Sequence, residues 1–223
     1  MDNPSKIVEN GITYSLGDFD GTTMHYDFYR ILEYLEVKGK LLYGEEFKIF
    51  KIDRPLIRKL CAYTINDSKA AKRYGISLQK GVLLNGPVGC GKTSLMKLLR
   101  YIIPGKPTYE MIPSRNVVFS FNHLGFKTVE EYGDSGSYCF DDLGLEPYGR
   151  FYGKDANVMG EVLLSRYELY RTTRGRLKTH ITTNLNATEL EERYGNRVRS
   201  RMRELFNLIT FDQNSQDKRF YLK

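Results

Sequence analysis

Gly86-Pro87-Val88-Gly89-Cys90-Gly91-Lys92-Thr93 is a full match to G-x-x-x-x-G-K-[ST], and it follows the apolar run Val82-Leu83-Leu84. The glycines let successive backbone N–H groups turn inward on one anion. A helix beginning at Lys92 aims its positive dipole end at the same point. Read this way, residues 86–93 and Ser94 cradle the phosphates of a nucleotide, and Lys92 reaches the β- and γ-phosphates. Thr93 offers its hydroxyl to Mg²⁺. A glycine-rich turn with no ligand would leave the Lys92-Thr93 pair without a purpose.

The flanking pattern supports a strand–loop–helix unit. Leu95, Leu98, Leu99 and Ile102 recur at helical spacing until Pro104-Gly105. Downstream, Tyr138-Cys139-Phe140 runs into Asp141-Asp142, an apolar strand ending in two acids. Such a pair divides into a Mg²⁺ holder, Asp141, and a group that orients and polarises an attacking water, Asp142. A later strand, 180–184, ends in Asn184, whose amide can hydrogen-bond the γ-phosphate or that water. Further strands are expected at 117–121 and 207–211, and helices at 128–132, 158–173 and 187 to about 205, the last opened by Asn186 and Glu189. This alternation predicts an α/β P-loop NTPase with a five-stranded parallel sheet between helices and its ligand at the carboxyl ends of the strands.

Before the loop, residues 1–23 read as a loose lead-in with a short strand at 12–14. A helix from Met24 to about residues 38–39 carries Phe28, Ile31, Leu32 and Leu35 on one face, to cap the core or to dock a partner. A strand is expected at 47–52, a helix from Pro55, and another over 68–74 closed by Gly75. Residues 76–80 lead into the position where many nucleotide-binding domains place the wall against the base. The chain thus divides into an N-terminal extension, 1–73, and an ATPase core, 74–223.

The 223 residues carry a net charge of +7 and a pI of about 9.2, a balance that suits a polyanionic partner. Cys61, Cys90 and Cys139 lack C-x-x-C spacing, which argues against a disulfide framework or a zinc site, and His25, His123 and His180 are isolated. The polar start and the lack of any long apolar run predict a cytoplasmic protein with no membrane segment. Residues 145–157 mix Tyr148, Arg150, Phe151, Tyr152 and Lys154, which suits either stacking on nucleic acid or an ordinary solvated loop.

Over roughly residues 74–220 the chain resembles the AAA+ ATPases of the DnaC/IstB type, helicase loaders and transposition helpers. The matching pieces are Gly86 to Thr93, Phe140-Asp141-Asp142, Thr182-Thr183-Asn184-Leu185 and Tyr194-Gly195-Asn196-Arg197-Val198-Arg199-Ser200-Arg201-Met202. The resemblance implies ATP and Mg²⁺ as cofactors, a core without a C-terminal helical lid, and Arg201 as an arginine finger reaching a neighbouring subunit of a homo-oligomer. Arg219 matches the position of the second sensor, in flanking residues that differ from the family's. Asp142 stands where the wider class has Glu, which suits slow, switch-like hydrolysis. The implied function is a helicase loader on single-stranded DNA; the alternative is a transposition helper that binds duplex DNA and recruits transposase. Arg197 and Arg199 face DNA or the subunit boundary. A small-molecule kinase is the remote alternative, because it needs a lid with catalytic arginines and no sensor asparagine.

Overall fold

The computed structural model describes residues 5–103 and 108–221; the expected helix stop at Pro104-Gly105 lies outside them. Two antiparallel hairpins open the chain, β1 (Lys6–Glu9) with β2 (Ile12–Ser15) and β3 (Gly17–Phe19) with β4 (Met24–Tyr26). Asp27 accepts hydrogen bonds from the backbone N–H groups of Tyr29 and Arg30 and so caps α1 (Phe28–Tyr43). This helix runs past the expected stop at residues 38–39. Gly39 does not break it; the ring of Phe47 fills the space its missing Cβ leaves, and Gly44 ends the helix at φ 103°.

Residues 47–50 were expected to begin a strand, but they form none. Phe47 stacks on Tyr43 with ring centroids 5.4 Å apart, and the Ile49 N–H donates to the Glu36 carboxylate at 3.2 Å. A side chain thus takes a backbone donor that a ladder would have used. A short 3-10 turn, Lys51–Asp53, follows and leads into α2 (Arg54–Thr64) and α3 (Ser68–Arg73).

Then come β5 (Gly81–Asn85), α4 (Lys92–Leu99), β6 (Glu110–Pro113), α5 (Ser114–Leu124), α6 (Phe126–Asp134) and β7 (Tyr138–Asp141). The strand expected at 117–121 is therefore helical. Val117, Val118 and Phe121 are buried while Phe119 is half exposed, a one-sided helical pattern in β-branched and aromatic residues. The strand lies just before it, at 110–113. A hairpin of β8 (Gly149–Phe151) and β9 (Lys154–Ala156) precedes α7 (Val158–Thr173), and β10 (Thr179–Thr183), α8 (Ala187–Leu205) and β11 (Phe206–Thr210) complete the order. Asn186 and Glu189 form the expected capping box of α8.

The central sheet is five-stranded and parallel, in the order β11-β5-β10-β7-β6. One apolar cluster joins Ile31 and Leu35 of α1, Ile57 and Leu60 of α2, and Leu95, Leu98 and Leu99 of α4. The other joins Val117 and Phe121 of α5, Val162 and Leu163 of α7, and Val198 and Met202 of α8. The α1 face thus covers the core. Arg166 of α7 is buried at the opposite end of the sheet from the phosphate loop's exit, where it donates to Thr179 Oγ1 at 2.7 Å and to the carbonyls of Gly136 and Lys178 at 3.1 Å.

His180 of β10 is fully enclosed by Tyr63 and Tyr109, and its Nδ1 accepts the Val82 N–H at 3.2 Å, which requires the neutral ring. Burial, reinforced by the charges of Lys178 and Arg166, pulls its pKa from 6.5 to about 3. Its contribution to stability is therefore complete above the unfolded value of 6.5 and is lost as pH falls toward 3, because only the unfolded chain takes up the proton. Urea titrations should show the unfolding free energy dropping by about 2 kcal/mol between roughly pH 6.5 and 5. His180→Gln should flatten that slope.

Candidate nucleotide site

The loop between β5 and α4 has the backbone its glycines predict. Gly89 and Gly91 are left-handed at φ 74° and 101°, a region that disfavours side chains. Lys92, only 6 % exposed, bends back to donate to the Gly86 carbonyl at 2.8 Å and the Pro87 carbonyl at 2.9 Å. Burial lowers its pKa from the ordinary value, and the nearby Asp142 and Asp141 charges act in the opposite sense. An ammonium with so few waters has much to gain from a phosphate.

Asp141 ends β7 directly beside the loop. Its Oδ1 accepts from Thr93 Oγ1 at 2.9 Å and from Thr182 Oγ1 at 2.6 Å, and its carbonyl accepts from Ser114 Oγ at 2.9 Å. Thr93 and Asp141 thus present adjacent oxygens, the hard donors that Mg²⁺ selects. Asp142 turns away at φ 54°, held by its N–H to Thr182 Oγ1 at 2.9 Å. Partial desolvation in the cleft, followed by the Asp141 charge, raises its carboxyl pKa from the usual range, which favours a proton acceptor. Asn184 follows the end of β10, and its Oδ1 is buried with no hydrogen-bond partner among the described residues. An orphaned acceptor at this edge fits a missing ligand or water.

The chain returns to the loop after β11. The Lys218 N–H donates to the Gly89 carbonyl at 3.0 Å, and its ammonium bonds the Cys90 carbonyl and Asp53 Oδ2, the latter at 2.6 Å. The Asp217 carboxylate lies where a Cβ on Gly89 would be, 2.0 Å away, so position 89 must be glycine. Asp217 in turn holds Arg219 through Nε at 2.9 Å and Nη2 at 2.6 Å. Arg219 lines the cavity beside the loop together with Gly89, Cys90 and Gly91. Arg201 is elsewhere. Its guanidinium lies 4.4 Å over the Tyr167 ring and 3.7 Å from Glu204, with no partner in its own chain's loop.

The wall beside the loop escaped the sequence reading. A cavity of about 110 Å³ is lined by Tyr43, Phe47, Ile49 and Phe50 together with Gly91, Ser94, Leu98 and Phe211. Its apolar breadth beside the phosphate loop suits a flat aromatic base. Residues 76–80, where that wall was expected, are not among its lining. Thr182, Ser114 and Lys218 were missed as well, since only folding shows where their polar atoms meet; the Thr182-Thr183 run at a strand end was the one usable signal.

No protein-family model matches the sequence, and neither does any curated protein. Solved structures match by shape. The DnaC helicase loader superposes over 74 % of this chain and 92 % of that one, at a TM-score of 0.52 and 20 % identity. A candidate primosome component from Streptococcus pyogenes serotype M3 covers 80 % of this chain and 90 % of its own, at 0.52 and 18 %. The chain shares the α/β fold of these structures, a five-stranded parallel sheet between helices. Within that fold, Gly86 to Thr93, Asp141 and Asn184 lie at the carboxyl edge of the five strands. No described helix is long and apolar enough to cross a membrane.

Lys218 and Asp53 are mostly shielded from water, so removing one leaves the other charge poorly compensated. Lys218→Ala should lower stability by about 3 kcal/mol in chemical denaturation. The double variant Asp53→Asn/Lys218→Met should recover most of that loss.

Proposed function

We propose that this chain is a Mg²⁺-dependent ATPase of DNA replication that works as an oligomer on single-stranded DNA and loads a replicative helicase, in the cytoplasm. The observation that carries the reading is the 2.9 Å pair of Thr93 and Asp141 at the foot of a glycine loop holding a buried lysine. Thr93 and Asp141 are the residues that would hold Mg²⁺, which when bound to ATP neutralises charge across the β- and γ-phosphates.

The chain's own groups then have separable tasks. Lys92 leaves the Gly86 and Pro87 carbonyls to pair with phosphate oxygens, and the N–H groups around Gly89 and Gly91 hold the anion. Asp142 orients and deprotonates a water, aided by its raised pKa. Asn184 accepts a hydrogen bond from that water through its unpartnered amide oxygen, while its amide N–H can donate to the γ-phosphate. Arg219 adds positive charge from the same side. Arg201, bound only to α7 and α8 residues in its own chain, completes the site of a neighbouring copy. The basic C-terminal half supports DNA binding.

Steady-state hydrolysis should rise with protein concentration and with single-stranded DNA, and Arg201→Ala should lower it by on the order of 10³-fold. Rates indifferent to concentration, DNA and Arg201 would instead point to a monomeric P-loop enzyme. Asp142→Asn should retain ATP binding while losing turnover by about 10²-fold. Gel shifts with single-stranded and duplex DNA at one salt concentration separate a loader from a transposition helper.

A further inference from the structure

The β8–β9 hairpin, inserted between the Asp141-Asp142 edge and α7, takes no part in the nucleotide site. Its stalk is firmly held. Phe151 fills the space over Gly125, Gly149 leaves room for Phe121 and Val158, and the Arg150 N–H donates to Asn122 Oδ1 at 2.7 Å. Its tip is the reverse. Tyr152 is 91 % exposed, the highest value among the exposed large apolar or aromatic side chains.

The tip also breaks a local rule. Tyr152 and Gly153 form a two-residue turn with φ 47° and 77°, and the first of these positions favours Asn, Asp or Gly. A tyrosine there strains the backbone and, apart from an edge contact with the Phe151 ring at 4.5 Å, leaves its side chain in water, so burial does not account for it. A rule broken without a folding gain marks a candidate functional residue. Two exposed cations lie on the hairpin close to the tip, Arg150 opposite Asp155 and Lys154 opposite Phe151, one on each face. At its foot the partly buried Arg193 guanidinium, tied to Glu146, lies 5.1 Å over the half-exposed Tyr148 ring. Asp155 faces Arg150 at 3.9 Å, but both are more than 70 % exposed, and such pairs are weak.

We propose that this hairpin is a single-stranded nucleic-acid contact, with Tyr152 stacking on a base and Arg150 and Lys154 holding the adjoining phosphates. The proposal rests on the DNA-binding reading above and adds to it a place on the molecule. Aromatic faces accept any base, and flanking cations track the backbone, so the contact reads strandedness and not sequence. In duplex DNA the base faces are already stacked on one another. A stacking tip therefore discriminates against it.

The test is fluorescence anisotropy with a labelled oligothymidylate and a labelled duplex at fixed salt, using the full chain. Tyr152→Ala should weaken oligothymidylate binding about tenfold, and Tyr152→Phe should hold it within about twofold. Arg150→Ala/Lys154→Ala should reduce the salt slope by about 1. Tyr152→Asn should melt slightly higher than wild type while binding oligothymidylate as poorly as Tyr152→Ala. Hydrolysis without DNA should be unchanged in all of them. Unchanged oligothymidylate affinity in Tyr152→Ala overturns the proposal and leaves the tip to a protein partner. An equal loss on duplex overturns stacking in favour of phosphate contact alone. Wild type that binds no single strand overturns the DNA reading itself.

Discussion

Two helix starts and the end of β10 converge on Asp141, the last residue of β7. Its side chain takes hydroxyl protons from Thr93 at the start of α4 and from Thr182 of β10, while its carbonyl takes one from Ser114 at the start of α5. Charge-assisted hydrogen bonds of this kind are about twice as strong as neutral ones, and here they lie at the buried edge of a parallel sheet. The phosphate loop, the acid pair and the sensor strand therefore cannot move independently. The acid that would hold a metal also holds the scaffold together.

The turn after Asp141-Asp142 is tied outward as well. Buried Glu146 accepts the Gly144 N–H at 2.7 Å and the Tyr194 hydroxyl, and Arg193 reaches the same residue. Tyr194 sits immediately before Gly195, where α8 is interrupted at φ 81°. The first half of α8 is thus fixed to the turn after Asp142, and the half beyond the interruption carries Arg197, Arg199, Arg201 and Arg203. The arginine-bearing surface and the acid pair are linked by one glycine.

How much of this the sequence disclosed depended on how local the signal was. The phosphate loop was plain because its backbone conformation demands glycines at fixed positions and its charge demands Lys92. Asp141-Asp142 and the Asn186–Glu189 capping box were equally local. The segment 117–121 misled because valine and phenylalanine suit a strand, while the solvent pattern that makes them helical depends on what packs against them. The segment 47–52 misled because Glu36 and Tyr43, carried by the preceding helix, claim its backbone and its ring. The apolar wall beside the loop and the Lys218 contacts could not be read at all, because they join residues from about forty to more than a hundred and sixty positions apart. For the same reason the placement of Arg219 on the cavity beside the loop rests on the fold and not on its flanking residues.

The joining of Asp53 to Lys218 and of Gly89 to Asp217 has a temporal side. A chain is made from its N-terminus, and contacts of long sequence separation close late. The apolar cluster of α1, α2 and α4 has all its helices once residue 99 has emerged, yet the phosphate loop still lacks its outer buttress until residues 217–219 leave the ribosome. β11, which flanks β5, arrives only shortly before. The nascent protein can thus hold a folded helical cluster and still have an unfinished site, so that competence for ligand waits on residues 217–219.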